Sequence, residues 1–214
     1  MSSRIFSTGK DGKLSFVGDF ENLYLEDDDP WEQSGKGKSD EMRLFYQLSR
    51  KQLIEVVAKY TKPGSIICEI GCGSGHVTNL LHDHFSNCSV SGCDISTSAI
   101  HQAHLKFQNL SFFHHDILEK PLDISADIII LSNMLWYVLH DLTTLAGNCF
   151  KSLGKGSLPK SIIVYQALFK EHQRYGVEVI NSVGTFVDVL SEKFSAASNK
   201  NKQKRINIQQ LEKK

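Results

Sequence analysis

Gly71, Gly73 and Gly75 stand at alternate positions directly after an apolar run that ends in Glu69 and Ile70. Glycines so spaced let the backbone bend sharply and approach a ligand where any Cβ would collide, and a helix that starts there presents free N–H groups to that ligand. Downstream, the carboxylate of Asp94 is of the type that accepts hydrogen bonds from ribose hydroxyls. Its other reading is as a cap for the following helix. Asp116 and the Ser132-Asn133 turn close two further apolar runs, and His140 and His172 follow the fourth and fifth of these runs. Histidine is the usual group for removing a proton from an attacking hydroxyl, so these two are the candidate bases; a structural or merely exposed role stands beside that one.

The elements that must position these groups follow from periodicity. After Asp40, Leu53, Val56, Val57 and Tyr60 recur at helical spacing, and Lys62-Pro63-Gly64 stops the run. The stretch 65–70 is short, apolar and isoleucine-rich, as a strand buried on both faces is, and it leaves Glu69 at its carboxyl end. Val77, Leu80 and Leu81 mark a helix that fades near Phe85, and 88–93 is a second strand closed by Asp94. Ser96 caps a helix with Ile100, Ala103 and Phe107 inward; strands at 110–114 and 126–131, a helix at 141–153 and a strand at 161–167 continue the alternation. Such alternation implies a parallel sheet covered on both faces by crossover helices. The end of the chain reads as a helix through Phe186, Val189, Leu190 and Phe194, then two strands, 195–199 and 205–211, around the basic turn 200–204. In an open parallel sheet the ligand lies beyond the carboxyl ends of the strands, so Glu69 to Gly75, Asp94, Asp116 and Ser132-Asn133 share one rim.

Exclusion narrows the ligand. The last glycine of a dinucleotide fingerprint would fall at His76, no tyrosine has a lysine four residues later, and the loop lacks the Gly-Lys-Ser/Thr ending of a phosphate loop. What survives is a ligand without pyrophosphate whose adenosine and amino-acid ends both meet the rim. Glu69-Ile-Gly71-Cys-Gly73-Ser-Gly75, Gly92-Cys-Asp94-Ile-Ser96, His115-Asp116-Ile117 and Ala126-Asp127-Ile-Ile-Ile-Leu-Ser-Asn133 resemble, in order, the motifs of class I S-adenosylmethionine-dependent methyltransferases. The resemblance implies a Rossmann-like, doubly wound, mostly parallel seven-stranded sheet with its last strand antiparallel, and S-adenosyl-L-methionine as cofactor. It implies that Gly71, Gly73 and Gly75 pass the methionine end, that Asp94 meets the ribose, that Ile95 packs on the adenine and Asp116 meets its amino group, with Glu69, Cys72, Ile117 and Ser132 among the cofactor-binding residues. Asn133 would face the transferring methyl, as a candidate catalytic residue. Asn22-Leu-Tyr24 with Asp29-Pro30-Trp31, Leu131 through Tyr137, and Tyr175-Gly176-x-Glu178 further resemble the nodulation N-methyltransferases of the NodS type, which act on an amino sugar. On that footing the acceptor is a small polar molecule, a sugar or oligosaccharide among the candidates, bounded by Trp31, Tyr46, Trp136 and Tyr137.

Composition bounds the remainder. Twenty-four basic and twenty-four acidic residues in 214 cancel, which leaves no field for holding nucleic acid or an anionic membrane. The amino terminus lacks an apolar core of signal-peptide length and no run approaches a membrane span, so the expected compartment is the cytoplasm. Five cysteines, odd in number and placed in or near strands, suit reduced thiols, and their spacing against nearby histidines fits no structural zinc pattern. Residues 1–39 read as an irregular arm or lid over the acceptor site, with 40–214 as the cofactor-binding domain. In the arm, the acidic run 26–29 is either a solvated loop or an attraction for a cationic acceptor, and Trp31 either anchors the arm or lines a pocket. Three rival functions stand beside the methyltransferase: a non-catalytic partner subunit of the same fold, a nucleotide-dependent oxidoreductase, and a methyltransferase of protein or RNA.

Overall fold

In the computed structural model, residues 3–36, 39–154, 162–168, 174–199 and 205–211 are described. His172 and the basic turn 200–204 lie outside them. The arm is more regular than its sequence suggests. It opens with an antiparallel ribbon of β1 (Phe6–Thr8) and β2 (Leu14–Phe16), followed by α1 (Phe20–Glu26). Asp19 caps α1 by accepting from the Asn22 N–H. Elements this short carry too few residues for periodicity to register, and tertiary contact holds them: Ile5, Phe6 and Leu23 are buried in the main core.

α2 (Asp40–Ala58) begins where Ser39 Oγ accepts from Met42 N, with Asp40 and Glu41 in the first turn complementing the helix dipole. Then β3 (Ile66–Ile70), α3 (His76–His84), β4 (Ser89–Asp94), α4 (Thr97–Lys106), β5 (Ser111–His114), β6 (Ile128–Ser132), α5 (Leu142–Ser152), β7 (Ile162–Leu168), α6 (Val183–Asn199) and β8 (Arg205–Leu211) follow. Two single 3₁₀ turns, Leu135–Tyr137 and Leu139–Asp141, join β6 to α5.

The main sheet has the order β5-β4-β3-β6-β7-β8, and every neighbouring pair is parallel. The class I architecture is therefore as read, with two corrections. Among the described residues the sheet has six strands, not seven, and its last strand is parallel to β7, with Ile162 opposite Arg205. The cause is α6, which runs through Asn199 and absorbs 195–199, the segment expected to be a strand. A helix between β7 and β8 returns the chain to the starting edge of the sheet, so the next strand runs the same way; a hairpin would have reversed it.

Alternation along the central strands supplies both cores. Ile128 and Ile130 face Leu53, Val56 and Val57 of α2 and Leu81 of α3. Ile129 and Leu131 face the other way, into Leu145, Cys149 and Phe150 of α5 and Phe186, Leu190 and Phe194 of α6. Each fully buried aliphatic or aromatic side chain contributes about 1.5–3 kcal/mol, so β6 and β7, buried nearly throughout, are firmly held. Strand order reverses between β3 and β6, and that reversal opens a crevice at their carboxyl ends. The five cysteines are all free thiols. Among the described residues no helix is long and apolar enough to cross a membrane.

Candidate cofactor and acceptor cavity

A cavity of about 340 Å³ lies at that crevice. Its floor comes from strand ends: Ile70 and Gly71 after β3, Asp94 and Ile95 after β4, His115 to Leu118 after β5, and Ser132 to Met134 after β6. Its roof comes from the arm, through Phe16, Val17, Gly18, Phe20, Tyr24, Trp31 and Gln33; Tyr46 of α2 and Tyr137, Val138 and Asp141 complete the wall.

The glycine turn is held by the neighbouring strand. Gly71 and Cys72 N–H groups both donate to the Cys93 carbonyl, at 2.8 and 3.0 Å. Gly73 N–H donates to Asp94 Oδ2 at 2.8 Å, while Ser96 N–H donates to Asp94 Oδ1 at 3.0 Å. Gly73 has φ +52°, and a Cβ there would stand 2.4 Å from the Tyr24 hydroxyl, so glycine is required both by conformation and by space. Burial raises the pKa of Asp94, opposed by backbone N–H groups of Ser96, Gly73 and Ile95. Each carboxylate oxygen keeps a second lone pair, so Asp94 can still accept from two hydroxyls of a ribose. Ile95 is half exposed on the cavity wall, and Asp116 accepts from Leu118 N–H at 2.8 Å through one oxygen only.

Several expected cofactor residues do not line the cavity. Glu69 is buried within β3 and accepts from Thr78 Oγ1 at 2.6 Å; burial raises its pKa to about 8, against the Thr78 bond and the nearby Arg50. Cys72 points into the side cluster of Ile100, Ala103 and Phe112, and Gly75 makes room for the Phe112 ring. Gly71, Asp94, Ile95, Asp116, Ile117 and Ser132 do line it.

On the candidate acceptor side, Asn133 is one of two non-glycine residues with positive φ among the described residues, at 60°. Asparagine tolerates that region better than most residues. Its N–H donates to the Gln166 carbonyl at 2.7 Å and its Nδ2 donates to Ser132 Oγ at 3.2 Å, while its buried Oδ1 has no partner. Ser132 Oγ in turn donates to Gln166 Oε1, and Gln166 Nε2 donates to the Ser49 carbonyl of α2. Trp31, Tyr46 and Tyr137 line the cavity. Tyr137 packs against Phe16, Phe20 and Trp31 at centroid separations of 6.1, 5.1 and 5.8 Å. Trp136 is not part of the lining and lies beside Gly176. His140 is exposed, edge-on to Tyr175 at 6.2 Å, and does not reach the cavity wall.

Gln166, Arg50, Glu21 and Tyr24 also shape the site, and no sequence motif marks the first three. Gln166 is a polar residue in an otherwise apolar strand, which was a usable signal. Arg50 sits on α2 with its guanidinium 5.2 Å over the Tyr46 ring, donates to the Gln33 carbonyl, and has a buried Nε without a partner. Nothing local in the sequence distinguishes it from a surface arginine.

Residues 67–156 match the family model described as a methyltransferase domain. That match runs from β3 to just past α5 and takes in the glycine turn, Asp94, Asp116 and Asn133. Malonyl-[acyl-carrier protein] O-methyltransferase from Paenibacillus sp. (strain JDR-2) is 29% identical over 181 residues, covering 72% of this chain and 63% of that protein. Release factor glutamine methyltransferase from Lactococcus lactis subsp. lactis is 32% identical over 146 residues, covering 64% and 48% respectively. The chain thus spans less than two thirds of the length of these curated relatives. Among solved structures, the N-methyltransferase NodS from Bradyrhizobium japonicum WM9, in complex with S-adenosyl-L-homocysteine, superposes with a TM-score of 0.52 at 24% identity, covering 64% of this chain and 67% of that one. That likeness is one of fold. The cavity offers a glycine backbone without Cβ at Gly71, a buried carboxylate at Asp94, an apolar wall at Ile95 and an orphan acceptor at Asn133 Oδ1, groups that fit S-adenosylmethionine.

Proposed function

We propose that this protein is an S-adenosylmethionine-dependent methyltransferase that acts on nitrogen or oxygen of a small polar acceptor, with an amine, as in an amino sugar, the favoured group. The observation that carries this reading is a single cavity joining a nucleoside rim, Gly71, Asp94 and Asp116, to an aromatic end, Phe16, Phe20, Trp31 and Tyr137, with Asn133 between them. Bound there, S-adenosylmethionine supplies an electrophilic methyl group on a sulfonium. The residues of the chain orient and exclude water. Asp94 fixes the ribose, Ile95 and Ile117 bound the base, and the arm, residues 1–39, closes over the acceptor. Holding two reactants collinear is worth roughly 7–11 kcal/mol of a barrier, so orientation is the chain's main contribution.

The amine preference rests on what faces the acceptor. The described lining residues include no lysine or arginine, Arg50 being held against Tyr46 and Gln33 outside the lining, while Asp141, the free Asn133 Oδ1 and several aromatic faces favour a group bearing N–H or partial positive charge. An amine that arrives neutral attacks without prior loss of a proton, and Asn133 Oδ1 accepts one of its N–H bonds, aiming the lone pair at the methyl. Of the two candidate bases for a hydroxyl acceptor, His140 does not reach the cavity and His172 lies outside the described residues. The thiols of Cys68, Cys72, Cys93 and Cys149, all buried and unpaired, support the cytoplasm as compartment.

Calorimetric titration with S-adenosylhomocysteine tests the cofactor, and no binding would sink the enzyme reading. Methyl-labelled donor offered with an amino sugar, its hydroxyl counterpart and a malonyl thioester tests the acceptor; transfer to the thioester alone would overturn the amine assignment.

A further inference from the structure

Glu21 lies in the first turn of α1, in the arm, yet its carboxylate is spent on the body of the domain. Oε2 accepts from Ser96 Oγ at 2.8 Å and Ser98 N–H at 3.2 Å; Oε1 accepts from Thr97 Oγ1 at 2.9 Å and Ser98 Oγ at 2.6 Å. Four donors from three consecutive hydroxyl residues at the start of α4 converge on one side chain. Only a carboxylate can accept them all, and the positive end of the α4 dipole favours its charge. The bonds from Ser98, then those from Ser96 and Thr97, hold the Glu21 pKa down to about 2, so the anion persists across the working pH range.

Two things follow from where this contact sits. Ser96 is buried; its Oγ accepts from Ala99 N–H while its own N–H donates to Asp94 Oδ1, and Asp94 Oδ2 receives Gly73 N–H. A line of hydrogen bonds therefore runs from Glu21 through Ser96 to Asp94 and the glycine turn. In addition, Glu21 and Tyr24 are three residues apart and share one face of α1. Seating Glu21 on α4 places the Tyr24 hydroxyl over Gly73, where it accepts from Trp31 Nε1 at 3.1 Å.

We propose that Glu21 is a positioning residue for the cofactor: it latches the arm onto the start of α4, fixes the Asp94–Ser96 turn from behind, and sets how slowly bound cofactor leaves. This rests on the reading that the cavity takes S-adenosylmethionine. Elsewhere the arm meets the body through Lys106 with Asp28, Arg50 with Gln33, Arg174 with Gly12 and the aromatic contacts of Tyr137 and Tyr175, none of which touches the Asp94 turn.

The test uses the full chain with Glu21→Gln and Glu21→Ala. Dissociation of S-adenosylhomocysteine, followed by stopped flow, should accelerate about tenfold or more in Glu21→Ala, as loss of even one charge-assisted bond predicts, and less in Glu21→Gln. The melting temperature is measured alongside, because a purely structural role would lower it and leave the off-rate of the folded protein unchanged. An unchanged off-rate overturns the proposal. Hydrogen exchange of residues 20–26 without ligand reads the latch independently: lost protection in Glu21→Ala supports it, and wild-type protection overturns it. If the wild type binds no S-adenosylhomocysteine, the functional reading fails while the exchange measurement still decides the latch.

Discussion

The rim of the sheet and the arm meet across one cavity, yet they are held by different forces. Backbone geometry builds the rim: Gly71, Cys72 and Gly73 N–H groups are spent on Cys93 and Asp94, and β3 and β6 beneath them are buried on both faces. The arm is built almost wholly from side chains. A short ribbon and a seven-residue helix stay in place through Glu21 on α4, Arg4 with Asp19 and Glu26, and aromatic contacts of Phe6, Phe16, Phe20 and Trp31 with Tyr137 and Tyr175. A backbone-held rim keeps its shape when surface residues change, which suits a fixed cofactor. A side-chain-held arm changes shape with single substitutions, which suits an acceptor site that has to differ between enzymes of one fold.

The largest break in this contrast should come from the rim. Asp94→Ala removes the ribose acceptor and the partner of two backbone N–H groups; S-adenosylhomocysteine affinity should fall by at least about a hundredfold, the equivalent of two charge-assisted bonds, with circular dichroism still showing the folded domain. Affinity like the wild type's in that variant would place the nucleoside elsewhere.

Next comes the junction of the two regions. Gly73→Ala sets a Cβ 2.4 Å from the Tyr24 hydroxyl and strains a positive φ, so the arm should lift and cofactor affinity drop. Tyr24→Phe added to it removes the clashing oxygen and should restore part of the loss, leaving about 1 kcal/mol of backbone strain. A double variant no better than the single one would show that the arm does not rest on the glycine turn.

Asn133→Gly keeps the left-handed turn and deletes the free Oδ1. Turnover should fall roughly tenfold at nearly unchanged cofactor affinity, since one acceptor-side hydrogen bond is lost. Parallel loss of cofactor affinity would move Asn133 to the rim's side of the comparison.

The smallest effect concerns Glu69, whose pKa near 8 in the folded chain lies above its ordinary 4.5. The folded state holds a proton that the unfolded state has released, so stability is lost as pH rises through this range. Below about pH 6.5 the opposite slope of His76, buried and pushed down to about 4, offsets it. Between pH 6.5 and 8 the wild-type melting temperature should therefore fall, and Glu69→Gln should flatten that slope. A wild-type slope retained in the variant would assign the proton to another group.

What the sequence determined by itself was the half of the protein that repeats one physical rule. Apolar runs of strand length, each closed by Glu69-Ile70, Asp94, Asp116 or Ser132-Asn133, fixed the sheet, its parallel sense and the rim, because period and burial are local properties. The tertiary structure alone decided the rest. Only packing shows that Glu69 and Cys72 turn away from the cavity and that His140 stays outside it. The chain past β7 becomes a helix, so β8 runs parallel instead of closing a hairpin. The arm's residues carry no period; Glu21, Tyr24 and Trp31 acquire their roles through contacts with Ser96 to Ser98, Gly73 and Tyr137, some of them more than 70 residues away. Contacts of that range leave no mark on neighbouring positions, and the proposed acceptor site is made of them.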